Sequence, residues 1–321
     1  MTPGPFDVIG DVHGHADRLR GLLAALGYRR RGGAWRHPQR RAFFVGDLID
    51  RGPQQLETVA LVRAMVDAGS AFIVLGNHEL NAIAWATRHP DRPGEHLRAR
   101  HGAKGARHFR THERFLTEVG PDSARHRELV AWFRTLPLWC DLGSVRVVHA
   151  CWDAAAIDEL APRLGPGATL TDAVLVGACT AGHPDHAAVE VLLKGPELTL
   201  PGGAAYLDKE GTERTEARFA WWDPTAVTYR RAALIPADAR TPAGTPLAPL
   251  GDDPVPLLPA MPYRDPVPLF VGHYWRTGVP GPLGPQVACV DYSAGRGGPL
   301  VAYRWDGEPV LDPDRFVAFG G

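Results

Sequence analysis

Five short blocks of the sequence combine glycine or a strand end with the aspartate, histidine and asparagine side chains that bind hard divalent cations. They are Gly10-Asp11-Val12-His13-Gly14, Gly46-Asp47-Leu48-Ile49-Asp50-Arg51-Gly52, Gly76-Asn77-His78-Glu79, Val148-His149 and Gly272-His273. Oxygen and imidazole donors suit manganese, iron, zinc or magnesium better than a soft-metal site. Two such ions about 4 Å apart can clamp a phosphate and lower the pKa of a bridging water. The blocks therefore indicate phosphate chemistry at a two-metal centre.

The blocks resemble the calcineurin-like metallophosphoesterase superfamily, and within it the bacterial type of the phosphoprotein-phosphatase (PPP) branch. The branch pattern GDxHG, GDxxDRG, GNHE and two isolated histidines is present complete and in order. The resemblance implies ligands for two divalent metal ions, with manganese favoured over iron, zinc, magnesium or nickel. The first ion would take Asp11 and His13, the second Asn77, His149 and His273, and Asp47 would bridge them.

The resemblance also implies catalytic roles for His78, Asp50 and Arg51. His78 matches the histidine that protonates the leaving oxygen, and Asp50 matches its carboxylate partner. A carboxylate of this kind fixes the histidine tautomer and keeps the ring protonated, as a general acid requires. Arg51 matches the arginine that grips phosphate, and its planar fork suits two phosphate oxygens.

A second phosphate-binding arginine is expected in this branch, but no motif places it. Arg218 is the first candidate because the following segment, Phe219-Ala220-Trp221-Trp222-Asp223-Pro224, faintly resembles a WSDP run of the family. Arg276 is the second, three residues after His273. For either arginine, an ordinary surface or salt-bridged role is an equal alternative.

The expected activity is hydrolysis of phosphate monoesters, as in serine/threonine protein phosphatases, by attack of a hydroxide that bridges the two metal ions. The alternative is hydrolysis of a nucleotide, such as a dinucleoside polyphosphate of the diadenosine tetraphosphate type. Partners would be a phosphoprotein, a nucleotide or a small phosphoester. After His149 the family's glycine pair is replaced by Ala150-Cys151, so protein-substrate specificity is not implied. The complete set of site residues argues against a binding module with a decayed site.

The five blocks can meet only if the strands that precede them end beside one another. Apolar runs at 6–10, 41–45 and 71–75 predict strands, and the periodicity at 17–26 and 54–68 predicts helices between them. Ligands gather at the carboxyl ends of such strands. Further strands are predicted at 145–148, 267–271, 286–290 and 299–305, the last two as a closing hairpin. The resemblance implies an α/β fold, a four-layer αββα sandwich of mixed β-sheets with an inserted helical or loop cap.

Length and charge limit the organisation. With 321 residues, 45% of them hydrophobic, the chain can bury a large core. A single domain over 1–321 is predicted, with insertions at about 88–140 and 155–265. The net charge of -1 argues against a membrane or general nucleic-acid partner without excluding nucleic acid. Neither a signal peptide nor an apolar run of membrane-spanning length is present, so a cytoplasmic location is expected.

Two insertion segments have unusual composition. Residues 88–114 hold eight lysines or arginines, three acidic residues and five histidines. That composition indicates either a basic rim for an anionic substrate or a solvated helical insertion, and the second interpretation is favoured. Residues 242–268 contain nine prolines, which predicts a wrapping loop or lid because no helix or central strand tolerates that density.

Overall fold

The computed structural model describes residues 4–208, 211–256 and 262–320, and these form sixteen strands and nine α-helices. The strands are β1 (Phe6–Ile9), β2 (Arg29–Arg31), β3 (Ala34–Arg36), β4 (Arg41–Phe44), β5 (Ala71–Ile73), β6 (Trp139–Asp141), β7 (Arg146–Val148), β8 (Glu197–Thr199), β9 (Tyr206–Leu207), β10 (Glu213–Arg214), β11 (Glu216–Phe219), β12 (Ala233–Leu234), β13 (Leu269–Val271), β14 (Val287–Cys289), β15 (Leu300–Trp305) and β16 (Phe316–Phe319). The helices are α1 (Ala16–Ala25), α2 (Gln55–Asp67), α3 (Asn77–Ala86), α4 (Gly102–Val119), α5 (Ala124–Phe133), α6 (Ala154–Leu160), α7 (Asp172–Ala178), α8 (Pro184–Lys194) and α9 (Tyr229–Ala232).

The first sheet has the strand order β16-β15-β1-β4-β5. β1, β4 and β5 are parallel, and β15 runs antiparallel to both β1 and β16. α1 and α2 supply the crossovers that parallel neighbours require. The strands and helices predicted for the first 85 residues are confirmed. The β2–β3 hairpin was not predicted, because the three exposed arginines of β2 give no apolar pattern.

The second sheet has the order β14-β13-β7-β6, in which only β6 is antiparallel to its neighbour. The predicted closing hairpin of 286–290 with 299–305 is wrong. β14 pairs with β13 in this sheet, whereas β15 pairs with β1 in the first. The three residues of β14 are all buried, which suits a strand covered on both faces and pairing in parallel.

The core lies between the two sheets. Phe6 and Phe43 of the first sheet belong to the same buried cluster as Val147 and Phe270 of the second. Each fully buried side chain of this size contributes about 1.5–3 kcal/mol through its removal from water. α1 packs against β15 and β16, and α2 against β5. The predicted α/β fold class, with mixed sheets facing each other and helices packed outside, is confirmed.

The chain divides into two compact units, one of Met1–Lys194 with Asp265–Gly321 and one of Gly195–Arg264. The second unit contains the antiparallel sheet β12-β11-β8 and a small core that includes Leu200, Tyr206 and Ala217. The interpretation of the chain as a single domain with insertions stays a prediction.

The proline-rich segment 242–268 belongs partly to each unit. Its described residues, 242–256 and 262–268, contain no helix or strand, as the proline density predicts. The role of the segment as a lid stays a prediction, and 257–261 lie outside the described residues. Among the described helices, none has the length and apolar character needed to cross a bilayer.

Candidate metal centre

The candidate ligands follow adjacent strand ends. Asp11, Asp47 and Asn77 come after β1, β4 and β5, which are parallel neighbours, so their side chains emerge at one edge of the first sheet. His149 and His273 come after β7 and β13, which are neighbours in the second sheet. The structure therefore brings together residues that are up to 262 positions apart in sequence, as in the bond from the His273 N–H to Asp11.

Glycine lets two of these loops approach closely. A β-carbon on Gly46 would lie 2.6 Å from the backbone nitrogen of Gly76, and one on Gly76 would lie 2.3 Å from that of Asp47. Gly46 also has a φ of +99°, a backbone conformation that costs glycine little. Asp47 follows with a φ of 52°. The glycines of these two blocks are thus required by backbone packing.

The Asp47 carboxylate lies between histidines on two sides. Its Oδ1 is 3.5 Å from Nε2 of His149, and its Oδ2 is 3.7 Å from Nε2 of His13. Oδ1 also accepts a hydrogen bond from the His78 backbone N–H at 2.9 Å. Burial raises the pKa of Asp47, but the charges of His149, His78 and His13 outweigh it and hold the pKa well below its usual range. One ionised carboxylate is therefore shared by two sets of donors.

Backbone carbonyls orient two of the histidines. Nδ1 of His13 lies 2.8 Å from the Ile49 carbonyl oxygen, and Nδ1 of His149 lies 2.7 Å from that of Val45. Such bonds place the proton on Nδ1 and leave Nε2 for a metal ion. Nε2 of His149 also lies 3.0 Å from Oδ1 of Asn77. Burial and the nearby His78 lower the pKa of His13 to about 4, so this imidazole is in the neutral form that binds metals.

Only one oxygen of the buried Asp11 carboxylate is hydrogen-bonded within the described part of the chain. Its Oδ2 accepts from the His273 N–H at 3.1 Å, whereas its buried Oδ1 has no hydrogen-bond partner among the described residues. Burial and the neighbouring carboxylates of Asp291 and Asp47 raise its pKa well above the usual value. A buried carboxylate of this kind is costly unless a cation compensates it.

The donor set fits two cations that share Asp47. His13, Asp47 and His78 form one group of possible ligands, and Asp47, His149 and His273 form a second, each with donor atoms within 4.8 Å of one another. Carboxylate oxygens and imidazole nitrogens are ligands for the borderline divalent ions. The presence of His78 in the first group leaves open, on geometry alone, whether it binds metal or donates a proton.

His78 has a second partner, Asp50, outside these two groups, and Asp50, His78 and His112 form a third group of possible ligands. Nδ1 of His78 lies 2.5 Å from Oδ2 of Asp50, which is completely buried. Burial lowers the pKa of His78, but Asp47 and Asp50 outweigh it and raise the pKa above its usual value. Its Nε2 lies 3.9 Å from Oδ2 of Asp47, so the two ring nitrogens have distinct surroundings.

Glu79 holds the loops that carry the ligands. Its carboxylate accepts hydrogen bonds from the backbone N–H groups of Asp47 at 2.8 Å, Leu48 at 2.8 Å and Gly76 at 3.1 Å. Burial and the charge of Asp47 raise its pKa to about 7. Glu79 therefore ties the second block to the third rather than facing a substrate.

The three candidate arginines differ in setting. Arg51 is exposed and has a φ of 70°, and its Cγ would lie 3.2 Å from a β-carbon on Gly295, beside His13. Arg276 is half-buried, and its backbone N–H donates to the Asp291 carbonyl. Arg218 lies on β11 in the second unit, in register with Glu197 of β8. Their roles toward phosphate stay predictions.

Sequence reasoning missed one histidine beside the catalytic candidates. Nδ1 of His112, on α4, lies 2.7 Å from Oδ2 of Asp50. The buried residues of α4 lie at helical spacing, but that spacing does not indicate what His112 contacts. The buried residues of α4 are Gly105, His108, His112, Phe115, Leu116 and Val119.

The basic segment 88–114 includes the N-terminal part of α4, so the predicted helical insertion is confirmed in part: one face of the helix is buried rather than solvated. Arg100 does not act as a free rim charge. It donates to both carboxylate oxygens of Asp122 and to the Trp85 carbonyl, and its guanidinium lies 3.7 Å from the centre of the Trp85 ring. A rim role for other arginines of the segment stays a prediction.

Comparison with known proteins identifies similar sequences. Residues 4–154 match the sequence profile of the calcineurin-like phosphoesterases. A bis(5'-nucleosyl)-tetraphosphatase PrpE [asymmetrical] of Halalkalibacterium halodurans is 51% identical over 74 residues, 23% of this chain and 30% of that protein. The protein of the same name from Bacillus subtilis is 28% identical over 186 residues, 56% of this chain and 69% of that protein. A symmetrical bis(5'-nucleosyl)-tetraphosphatase of Aromatoleum aromaticum is 34% identical over 142 residues, 44% of this chain and 42% of that protein.

The chain thus spans 30% to 54% of the length of the first curated relatives that it matches. Among solved structures, a protein serine/threonine phosphatase from Saccharomyces cerevisiae is similar with a TM-score of 0.48 and 13% identity, over 100% of this chain and 81% of that chain.

Proposed function

Because residues 4–154 match the sequence profile of the calcineurin-like phosphoesterases, we propose that the chain is a metal-dependent phosphoric ester hydrolase. The observation that carries the proposal is the buried Asp47 carboxylate with histidines on both sides and His78 beside it. Asp11 and His13 would hold one divalent ion. Asn77, His149 and His273 would hold the other, with Asp47 between them. When bound, the ions supply the positive charge that polarises a phosphoryl group and activates water.

His78 would supply the proton for the leaving oxygen. Its Nδ1 is occupied by Asp50, so its Nε2 is the nitrogen available to a substrate. The raised pKa, which Asp47 and Asp50 cause against the effect of burial, favours the protonated form of the ring. A histidine held in this form matches the requirement for general acid catalysis. Arg51, exposed beside His13, would contact the phosphate oxygens.

Phosphate monoesters are the first substrate class. An alkoxide or phenoxide leaves from a monoester and needs a proton, whereas the phosphate group that leaves from a polyphosphate is a much weaker base. A buried histidine kept protonated by a carboxylate therefore contributes most to monoester hydrolysis. This argument favours a phosphoprotein or a small phosphoester.

Dinucleoside polyphosphates are the second substrate class. The relatives from Halalkalibacterium halodurans, Bacillus subtilis and Aromatoleum aromaticum are all named bis(5'-nucleosyl)-tetraphosphatases. The same two-metal centre can serve either class, because both reactions begin with attack of water on a phosphorus atom. The names support this candidate without assigning the substrate of this chain.

A substrate panel tests both proposals. The manganese-loaded protein would be assayed with p-nitrophenyl phosphate, a phosphoserine peptide and diadenosine tetraphosphate, with the Asp47→Asn variant as the inactive control. Faster turnover of the two monoesters supports the first class. Hydrolysis of the tetraphosphate alone would replace it with the second, and hydrolysis of none by folded, metal-loaded protein would contradict the proposed activity.

A further inference from the structure

Asp50 has two histidine neighbours rather than one. Nδ1 of His78 is hydrogen-bonded to its Oδ2 at 2.5 Å, and Nδ1 of His112 lies 2.7 Å from the same oxygen in a close ionic contact that is not aligned as a hydrogen bond. His112 is 1% exposed and Asp50 is 0% exposed, so both contacts lie away from bulk solvent. The three side chains form a buried line from α4, through the second sequence block, to the first turn of α3.

α4 is fixed to the same loop by a second contact. The Glu118 carboxylate, further along α4, accepts hydrogen bonds from the backbone N–H groups of Gln55 at 2.8 Å and Leu56 at 3.0 Å. The Gln55 side chain in turn accepts from the Asp50 N–H at 2.6 Å and donates to the Gly52 carbonyl at 2.7 Å. The position of His112 is thus built into the contact between α4, α2 and the loop of Asp50.

Contact with a single histidine would not fix the rotation of the Asp50 carboxylate. The other oxygen, Oδ1, has no hydrogen-bond partner among the described residues, so two nitrogens on Oδ2 are what select this oxygen and this rotation of the group. Burial raises the pKa of Asp50, but the close His112 and the hydrogen bond of His78 outweigh it and lower the pKa below its usual range. The carboxylate is therefore ionised although it is removed from water.

We propose that His112 is a positioning residue that acts through Asp50 on His78, so that the inserted helix α4 completes the proton-donating group of the site. The inference rests on the proposed function, in which His78 protonates the leaving oxygen. Partners that orient a functional side chain in this way are typically worth 10- to 100-fold in activity. A merely structural buried histidine would instead affect stability, with the same effect on every substrate.

His108 provides a matched control. It lies on the same buried face of α4, is 7% exposed, and has its Nδ1 3.0 Å from the Ala99 carbonyl oxygen. Replacement of His108 removes a buried imidazole from this helix without removing a contact to Asp50.

The test compares two substrates that differ in the need for a proton. Phenyl phosphate has a strongly basic leaving group, and 2,4-dinitrophenyl phosphate has a weakly basic one. With manganese, His112→Ala should lower kcat for phenyl phosphate by about 10-fold or more, with little change for the dinitrophenyl ester and an unchanged metal content. His112→Asn, whose amide nitrogen occupies the place of Nδ1, should restore most of the loss. His112→Gln, whose amide lies one bond further out, should not.

Several outcomes would overturn the inference. One is an equal loss of kcat with both esters, and another is the same change of their ratio in His108→Ala. In the His78→Asn background, His112→Ala should cause no further loss, because the two act through one group; independent losses contradict the link. If His112→Ala does not fold, kcat for phenyl phosphate is compared between His112→Asn and His112→Gln, and equal values in the two variants contradict the inference. Wild-type protein that hydrolyses neither ester would refute the proposed function itself, whereas an active wild type with an unaltered ratio in the variants refutes only the role of His112.

Discussion

The buried carboxylates of the centre repel one another, and a bound cation would relieve this repulsion. Asp11, Asp47 and Asp291 are all buried, and their mutual repulsion contributes to raising the pKa of Asp11. In the metal-free protein, Asp11 therefore binds a proton more tightly than in the unfolded chain. Linkage then requires that this residue's contribution to stability falls as pH rises above its unfolded pKa of 3.8.

The Asp11→Asn variant tests this balance. Without metal, it should raise the unfolding temperature at pH 7, with a smaller gain near pH 4.5, because an amide removes the ionisation penalty. With saturating manganese the sign should reverse, because the variant lacks a ligand. Thermal unfolding with chelator and with manganese measures both effects, and a destabilised metal-free variant at neutral pH contradicts the account.

His78→Asn tests whether His78 is a general acid or a ligand. Turnover of phenyl phosphate should fall by roughly 100-fold or more, while the metal content stays nearly unchanged. Kinetics and elemental analysis of the same preparation decide, because parallel loss of metal and activity would make His78 a ligand.

Arg51→Lys addresses the grip on phosphate. An ammonium cannot reproduce the planar fork of a guanidinium, so kcat/KM for p-nitrophenyl phosphate should fall by on the order of 10-fold or more, with the fold and metals retained. Wild-type kinetics in this variant would remove Arg51 from the site.

Among the elements, α4 connects the inserted segment to the core. Its Glu118 carboxylate caps the N-terminus of α2, where unpaired backbone N–H groups and the helix dipole favour negative charge. Glu118→Gln should lower the free energy of unfolding by about 1 kcal/mol. Glu113→Gln, the same change at an exposed position of the same helix, is the control for charge. Denaturant unfolding of both variants gives the comparison, and equal losses would assign the effect to net charge rather than capping.

The elements also show how far local sequence patterns reach. Apolar runs and helical periodicity predicted β1, β4, β5, α1 and α2, because each pattern lies within a few consecutive residues. The partner of a strand is not encoded locally, and for that reason β14 and β15 were wrongly joined in a hairpin. The sequence also predicted which residues meet at the strand ends, since each follows an apolar run. It missed the contact of His112 with Asp50, because a histidine on a helix face carries no local mark of what the helix packs against.

For the molecule as a whole, the proposed centre predicts a metal stoichiometry. Metal-replete protein should contain close to two divalent ions per chain. Asp47→Ala should bind both ions more weakly, because both ions share the Asp47 carboxylate. Elemental analysis after dialysis measures the content. A well-folded wild type that retains no ion from manganese or iron solutions would contradict the proposal.

The pairing of β1 with β15 sets the order in which the molecule can be completed during translation. Phe6 is in register with Trp305, and in the sequence His149 precedes and His273 follows the residues of the second unit. At roughly 5–20 residues per second, a ribosome takes on the order of tens of seconds to pass from Asp11 to His273. A nascent chain stalled within 195–264 thus carries five of the six proposed ligands but lacks β13 and β15. Such a chain exposes one edge of β1 and an incomplete cluster of carboxylates, which makes it a candidate for chaperone binding before it can hold both ions.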